Sequence, residues 1–442
     1  MSELPNGWAL TTIGNVCRSK PQYGWTSKSK LAAHGLRYLR ITDMTTGSID
    51  WSGVPFCTDE PKELDKFLLS DGDIVVARSG ATFGRSVRLQ HPEPAVFASY
   101  LVRLQGQSDV VKSAYLGWFL RSPQYWREAK AASSGIAQPN LNARSLAGLP
   151  IPLPPIPEQQ RIVAAIEEQL SRLDAAESAL QAVARKLDHL RHSTLVGALG
   201  AGWPTVPLDD CLVSLRNGMF VSRPAQAPPG VPIFRISAVR AMRLDVDDVR
   251  YADVAPDSVE QYFVQEGDLL FTRYSGNPDF VGACAVVPVG VLPVLHPDKL
   301  IRGVVDRARF NPTFIALAVS VGAGRRAIEQ RLKTTAGQVG IAGGQLKTVP
   351  ILAPPLAEQD RIVVEIERRS SLIDAMVASV DAAIRRAAGL RQAVLWKAIK
   401  GTLVPQDPTD EPADVLLDRV LAERNASANR PSGRGRTKAR AT

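Results

Sequence analysis

The chain has 442 residues, 45% hydrophobic and 22% charged, a balance that fits two or three globular domains and calls for no fibrous or low-complexity class. Lys and Arg outnumber Asp and Glu by 53 to 44, and the net charge of +9 suits a polyanionic partner. The four cysteines lie far apart without a CxxC or Cys/His cluster, which excludes a disulfide framework and a zinc site and leaves free thiols in a reducing compartment as the expectation.

The opening "MSELPNGWAL" lacks the basic and apolar regions of an export signal, so a cytoplasmic location is expected. Over residues 1–150, short β-rich runs ("YLRIT", "GDIVVAR", "AVFASYLVRL") alternate with Gly/Pro turns and lead into the helical "SAYLGWFLRSPQYWREAKAA", which predicts a mixed α and β domain. Its "VVARSGATFGRS" ends a strand and opens a loop carrying Arg78, Ser79, Thr82 and Arg85. Residues 151–199 begin with a proline run that holds the chain extended before a helix opens just past Pro157, with Glu158 in its first turn. Ile166, Leu173, Leu180 and Leu187 then recur every seven, with Ile162, Ala176, Val183 and Leu190 at the complementary spacing of a coiled-coil seam.

Residues 200–350 repeat the first domain. Trp8 matches Trp203, Arg40 matches Arg235, and "GDIVVARSG" matches "GDLLFTRYSG", all 195 positions apart. The second loop carries Arg273, Tyr274, Ser275 and Asn277. The longest uncharged run, 280–295, is broken by Gly282, Pro288, Gly290 and Pro293 and is too short to cross a bilayer, so it is assigned to sheet core. Residues 351–402 repeat the proline entrance 200 positions on, and Ile366, Ile373, Val380, Ala387 and Val394 follow one seam position while Ile362, Met376, Ala383 and Leu390 follow the other. An amphipathic helix of about 40 residues needs a partner stripe. The simplest partner is the other long helix, giving a spacer between the domains; the alternative is that each helix packs on its own domain. Residues 403–442 are expected to form a disordered polar tail, and from Asn425 onward Arg430, Arg434, Arg436, Lys438 and Arg440 supply five positive charges with no acid.

Catalytic sets are poorly represented. Asn277-Pro278-Asp279-Phe280 approaches a methyltransferase loop but has Asp279 where a second proline belongs, and the glycines of "VGAGRR" fall in a helical stretch. Neither a Walker loop nor a metal-binding histidine spacing is present. Arg reads guanine edges, Asn and Gln read adenine, and Ser serves either, so the two loops are plausible base readers. Arg78 and Arg273 share one position and have a competing structural reading, in which they satisfy carbonyls or the internal acids Asp73 and Asp268.

"LPNGW", "GDIVVARSG", "FASYLVRL", "GIAQPNLNARSLAGLPIPLPPIPEQQRIV", "LLFTRYSGNPDFVG", "HPDKLIR" and "PPLAEQDRIV", in that order, resemble the specificity subunit of type I restriction-modification enzymes, over nearly the whole chain to about Thr402. The resemblance implies an α+β fold with a pseudo-twofold internal repeat. Two target-recognition domains (1–150 and 200–350) each read one half of a split double-stranded DNA site, and two long helices (151–199 and 351–402) pack as an antiparallel coiled coil that sets the spacing. The coil would use Ile162, Ile166, Leu173, Leu180, Leu187 and Leu190 against Ile362, Ile366, Ile373, Met376, Val380 and Leu390. DNA-binding candidates are Lys28, Lys30, Gln138 and Asn140 together with the two loops. The resemblance further implies a chain without catalysis or cofactor of its own, away from membranes. It would recruit two modification subunits, which use S-adenosylmethionine to methylate adenine, and in the full complex two restriction subunits that use ATP and Mg. One departure stands out: "GQVGIAGGQLKTVP" replaces "GIAQPNLNARSLAGLP", leaving Gln138, Asn140 and Asn142 without clear partners in the second copy. A solitary DNA-binding regulator and a coiled-coil scaffold that binds no DNA are the alternative classes.

Overall fold

Each domain is closed by pairing its first strand with its own proline-rich segment. Ala9–Thr12 runs antiparallel to Pro150–Leu153, and Thr205–Pro207 does the same with Pro350–Leu352. Prolines are tolerated there because each is a two-stranded ribbon, with free edges that need no donor. In this computed structural model, residues 4–30, 34–44, 47–133, 139–200, 202–291, 293–335 and 338–428 are described.

The chain divides into two compact units, residues 1–179 with 383–442, and residues 180–382. Both long helices, Ile156–Ala198 and Leu356–Ile399, are divided between the units, so compactness does not follow the chain-order boundaries read from the sequence. In the first unit a four-stranded antiparallel sheet has the order Gln22–Tyr23, Leu101–Leu104, Ile74–Ala77, Ser86–Arg88. The second unit repeats it as Leu212–Asn217, Leu300–Val305, Leu269–Thr272, Cys284–Val286. A further parallel pairing is also shared, Tyr38 with Val96 and Ile233 with Leu295. The run expected as sheet core contributes Cys284 and Ala285, both fully buried.

The proline-rich entrance is duplicated because it builds the same buried joint twice. The Gln159 side chain is fully buried, accepts from the Lys112 N–H and donates to the carbonyls of Val110 and Pro154. Gln359, also fully buried, accepts from Asn311 and donates to Arg309 and Pro354. Beyond the joint, Ile162 and Ile166 share the first unit's core with Leu395, Ala398 and Ile399 of the other long helix. In the second unit the equivalents 200 positions away, Ile362 and Ile366, share a core with Leu195, Ala198 and Leu199.

Ion pairs fix the helix direction. Asp174 meets Arg391 at 2.5 Å within the first unit, and Arg191 meets Asp374 at 2.5 Å within the second. Passing from Asp174 to Arg191 advances 17 residues, while passing from Arg391 to Asp374 retreats 17, so the helices are antiparallel in one register. Each pair is also the other shifted by 200 positions with the helices exchanged.

The seam corrects the heptad reading. Leu187, Ile373, Val380, Ala387 and Val394 are buried and Leu173 and Leu180 half-buried, as expected. The companion column is buried only at its head, Ile162 and Ile362, with Ala383 half-buried; Val183, Leu190, Met376 and Leu390 are 43%, 48%, 50% and 54% exposed. The residues beside the seam are instead Leu170, Glu177, Ala184 and Arg191, with Ser370, Val377, Ile384 and Arg391 on the other helix. The two arginines are half-buried there and carry their charged ends to Asp374, Asp174 and Glu177.

The C-terminal segment also differs from expectation. Residues Ala413–Ala428 form a helix, with Ala413, Leu416, Leu417 and Val420 buried in the first unit's core. Arg161 pairs with Asp410 at 2.7 Å, the Ala413 N–H donates to Gly7 O, and Arg424 caps the carbonyls of Asn15 and Cys17. Residues 429–442, with the five positive charges, lie outside the described residues.

Candidate nucleic-acid interface

In the first unit the hairpin Ile74–Ala77/Ser86–Arg88 presents the loop 78–85. Two backbone bonds set its base: the Arg78 N–H donates to Tyr100 O at 3.2 Å, and Arg78 O accepts from Leu141 N at 2.9 Å. The second unit reproduces both, with Arg273 N to Lys299 O at 2.8 Å and Ile341 N to Arg273 O at 2.9 Å. Leu141 therefore corresponds to Ile341, which aligns Asn140 with Gly340 and gives the region without clear partners its counterpart.

The internal acids are satisfied by arginines that sequence reasoning did not single out. Asp73 is met by Arg103 at 3.5 Å and Asp268 by Arg302 at 2.6 Å, each arginine also donating to nearby carbonyls. Arg78 and Arg273 are thus released from that duty. The Arg78 guanidinium lies 5.0 Å from the Tyr23 ring centre, half-buried, and its Nε meets no partner among the described residues. Arg273 lies 4.7 Å over Tyr274 and donates to Asp298 O at 3.3 Å, a partial structural use of its fork.

Other candidates separate by position. Ser79 bridges to Asn140, which places both at the loop's base; Thr82 is half-buried and Arg85 exposed. Tyr274 and Ser275 pair with Gly340 and Val339. Asn277 caps the turn Pro278–Phe280 by accepting from the Asp279 N–H, so its carbonyl is committed to the fold. Asn142 likewise caps Ala143–Gly148. Lys28 and Lys30 are exposed but belong with another sheet, where Ser29–Lys30 pairs with Phe56–Cys57. Gln138 lies outside the described residues.

Close backbone approach frames each site. A Cβ on Gly24 would collide with the Phe97 and Ala98 carbonyl oxygens, and one on Gly218 with those of His296 and Pro297. His296 is fully buried; its ring N–H donates to Tyr262 O at 2.7 Å, and burial pushes its pKa down to about 4. All four cysteines are buried and in no disulfide, with burial raising Cys17 to about 11. Among the described residues, no group of His, Cys, Asp and Glu is placed to hold a metal, and no helix is long and apolar enough to cross a membrane.

Residues 5–184 match the type I restriction modification DNA specificity domain. The specificity subunit of the type I restriction enzyme EcoKI from Escherichia coli is 29% identical over 98% of both chains. Over nearly its whole length the chain is similar to type I specificity subunits. The StySPI specificity subunit of Salmonella potsdam is 24% identical, again over 98% of both chains. Fold similarity agrees. A chain from a structure titled "Structural basis underlying complex assembly and conformational transition of the type I R-M system" aligns with TM-score 0.71 and 19% identity, covering 91% of this chain and 100% of that one. The HsdS subunit from Thermoanaerobacter tengcongensis aligns with TM-score 0.55 and 19% identity over 90% and 98%. The chain has the two mixed α and β domains and two long helices expected from its repeat.

Proposed function

We propose that this chain is the DNA sequence-recognition subunit of a type I restriction-modification complex. Each hairpin-bearing domain reads one half of a split double-stranded site, and the paired long helices set the number of unread bases between the halves. The observation that carries this reading is the duplicated frame, in which Arg78 and Arg273 are held by the same two backbone bonds while their neighbours differ. A rigid frame with variable side chains is what two readers of different sequences require.

The chain recruits two adenine-modification subunits, and two restriction subunits join in the full complex. The exposed apolar column Val183, Leu190, Met376 and Leu390 supports a docking role for the helices. S-adenosylmethionine belongs to the modification subunit and ATP with Mg to the restriction subunit, this chain holding no cofactor and supplying no catalytic group. The complex works in the cytoplasm, where its DNA is.

The test is to co-express the chain with the modification subunit of its own system and map adenine methylation by direct sequencing. A split motif that depends on this chain is expected. A stable complex without new methylation would overturn the reading in favour of a scaffold, and tight site-specific binding by the chain alone, without methylation, would favour a solitary regulator.

A further inference from the structure

The second domain carries a pocket of about 200 Å³ beside the Arg273 loop, lined by Ser237, Arg240, Tyr274, Ser275, Lys299 and Gln338 among others. Its position follows from the frame: Lys299 is the residue whose carbonyl holds Arg273, and Tyr274 and Ser275 continue directly from it. Two cations converge there. The Arg240 guanidinium is fixed 4.4 Å over Phe280 and spends one donor on Val239 O at 2.7 Å, leaving the rest of its fork for a ligand. Lys299 is exposed, and among the described residues neither cation has a carboxylate within ion-pair distance. Asp248, the acid attached to this region, is taken by Ser237 and Arg235 and does not line the pocket.

We propose that Arg240 and Lys299 determine specificity by reading a guanine edge in the major groove of the half-site bound by the second domain, an inference that rests on the DNA-reading function above. The donor pattern selects the base. Arg and Lys are donors only, and guanine alone presents two acceptors, N7 and O6, on that edge; adenine pairs an acceptor with a donor, and cytosine presents a donor. Ser237, Ser275, Tyr274 and Gln338 can donate or accept, so they do not reverse the preference. The first domain differs at the same place: Tyr100, 63% exposed, occupies the position of Lys299, so the two half-sites need not share this guanine.

The experiment uses the full chain with its modification subunit: wild type, Lys299→Ala, Arg240→Ala and Tyr100→Ala, the last marking the half read by the first domain. Methylated motifs are mapped, and binding to cognate and base-substituted duplexes is measured at two salt concentrations. Lys299 is exposed, so its removal leaves the fold intact. The wild-type motif is expected to contain a guanine in the second half, and both second-domain variants to lose discrimination at that base by roughly 5- to 150-fold while the first half is unchanged. A uniform loss across all sequences with a shallower salt slope would overturn the proposal in favour of a phosphate contact. It is overturned as well if the second half lacks guanine or if the first half relaxes instead. A wild-type chain that yields no split motif would defeat the DNA-reading function itself, and with it this proposal.

Discussion

Gln159 and Gln359 show how single side chains set the junction between sheet and helix. Each satisfies one backbone donor and two carbonyls where water is excluded, so replacing either by Leu is expected to cost about 1–3 kcal/mol per orphaned group. Chemical denaturation of Gln159→Leu and Gln359→Leu checks this. His296 gives a residue-scale pH prediction. Burial is the main cause of its lowered pKa, opposed by its bond to Tyr262 O and reinforced by Arg302. The unfolded chain, with an ordinary value near 6.5, takes up the proton first, so His296 costs the fold nothing above about pH 6.5 and destabilises it progressively as pH falls toward 4. An imidazole NMR titration should find a midpoint of about 4; one near 6.5 would contradict the burial. At this scale the sequence made Arg78 and Arg273 visible by their shared position, but the partners of Asp73 and Asp268 were hidden. Arg103 and Arg302 lie 30 and 34 residues beyond those acids, in a neighbouring strand, and only the sheet brings them together.

Elements were legible where periodicity and burial coincide. The seven-residue column through Leu173, Leu187, Ile373 and Val380 was correct because one face of an antiparallel helix pair must be apolar. Beyond Ile162 and Ile362 its companion was misread because Val183, Leu190, Met376 and Leu390 are more apolar than Glu177, Ala184, Arg191 and Arg391, and hydrophobicity alone does not register a charged side chain that is half-buried beside a seam. Reversing the charge in Arg191→Glu is expected to weaken the second unit by up to about 1 kcal/mol, the range of an exposed pair, and Asp374→Arg in the same chain to restore it. Denaturant midpoints of the single and double variants would show whether the coupling exists. The C-terminal helix was masked by its basic continuation, although Leu416, Leu417 and Val420 carry a helical period. Ending the chain at Thr402 removes these contacts and Arg424's bonds. Hydrogen exchange should rise around residues 9–17 and stay unchanged in residues 205–217; equal protection throughout would contradict the latch.

For the whole molecule, the internal repeat was the strongest signal, because two copies of one fold must preserve the residues that close the domain, seat the helix and frame the loop. The bases recognised were not legible, since they depend on loop geometry and DNA shape rather than on residue order. The reciprocal ion pairs place Ala176 opposite Gly389, so a heptad inserted after each keeps the seam in register while adding about 10 Å of helix. Mapping adenine methylation directed by such a chain tests the two-reader, one-ruler arrangement most directly. Both half-sites should remain unchanged while the unread spacer lengthens by up to about three base pairs. An unchanged spacer in a folded, active complex would contradict the ruler, and altered half-sites would contradict the independence of the two readers.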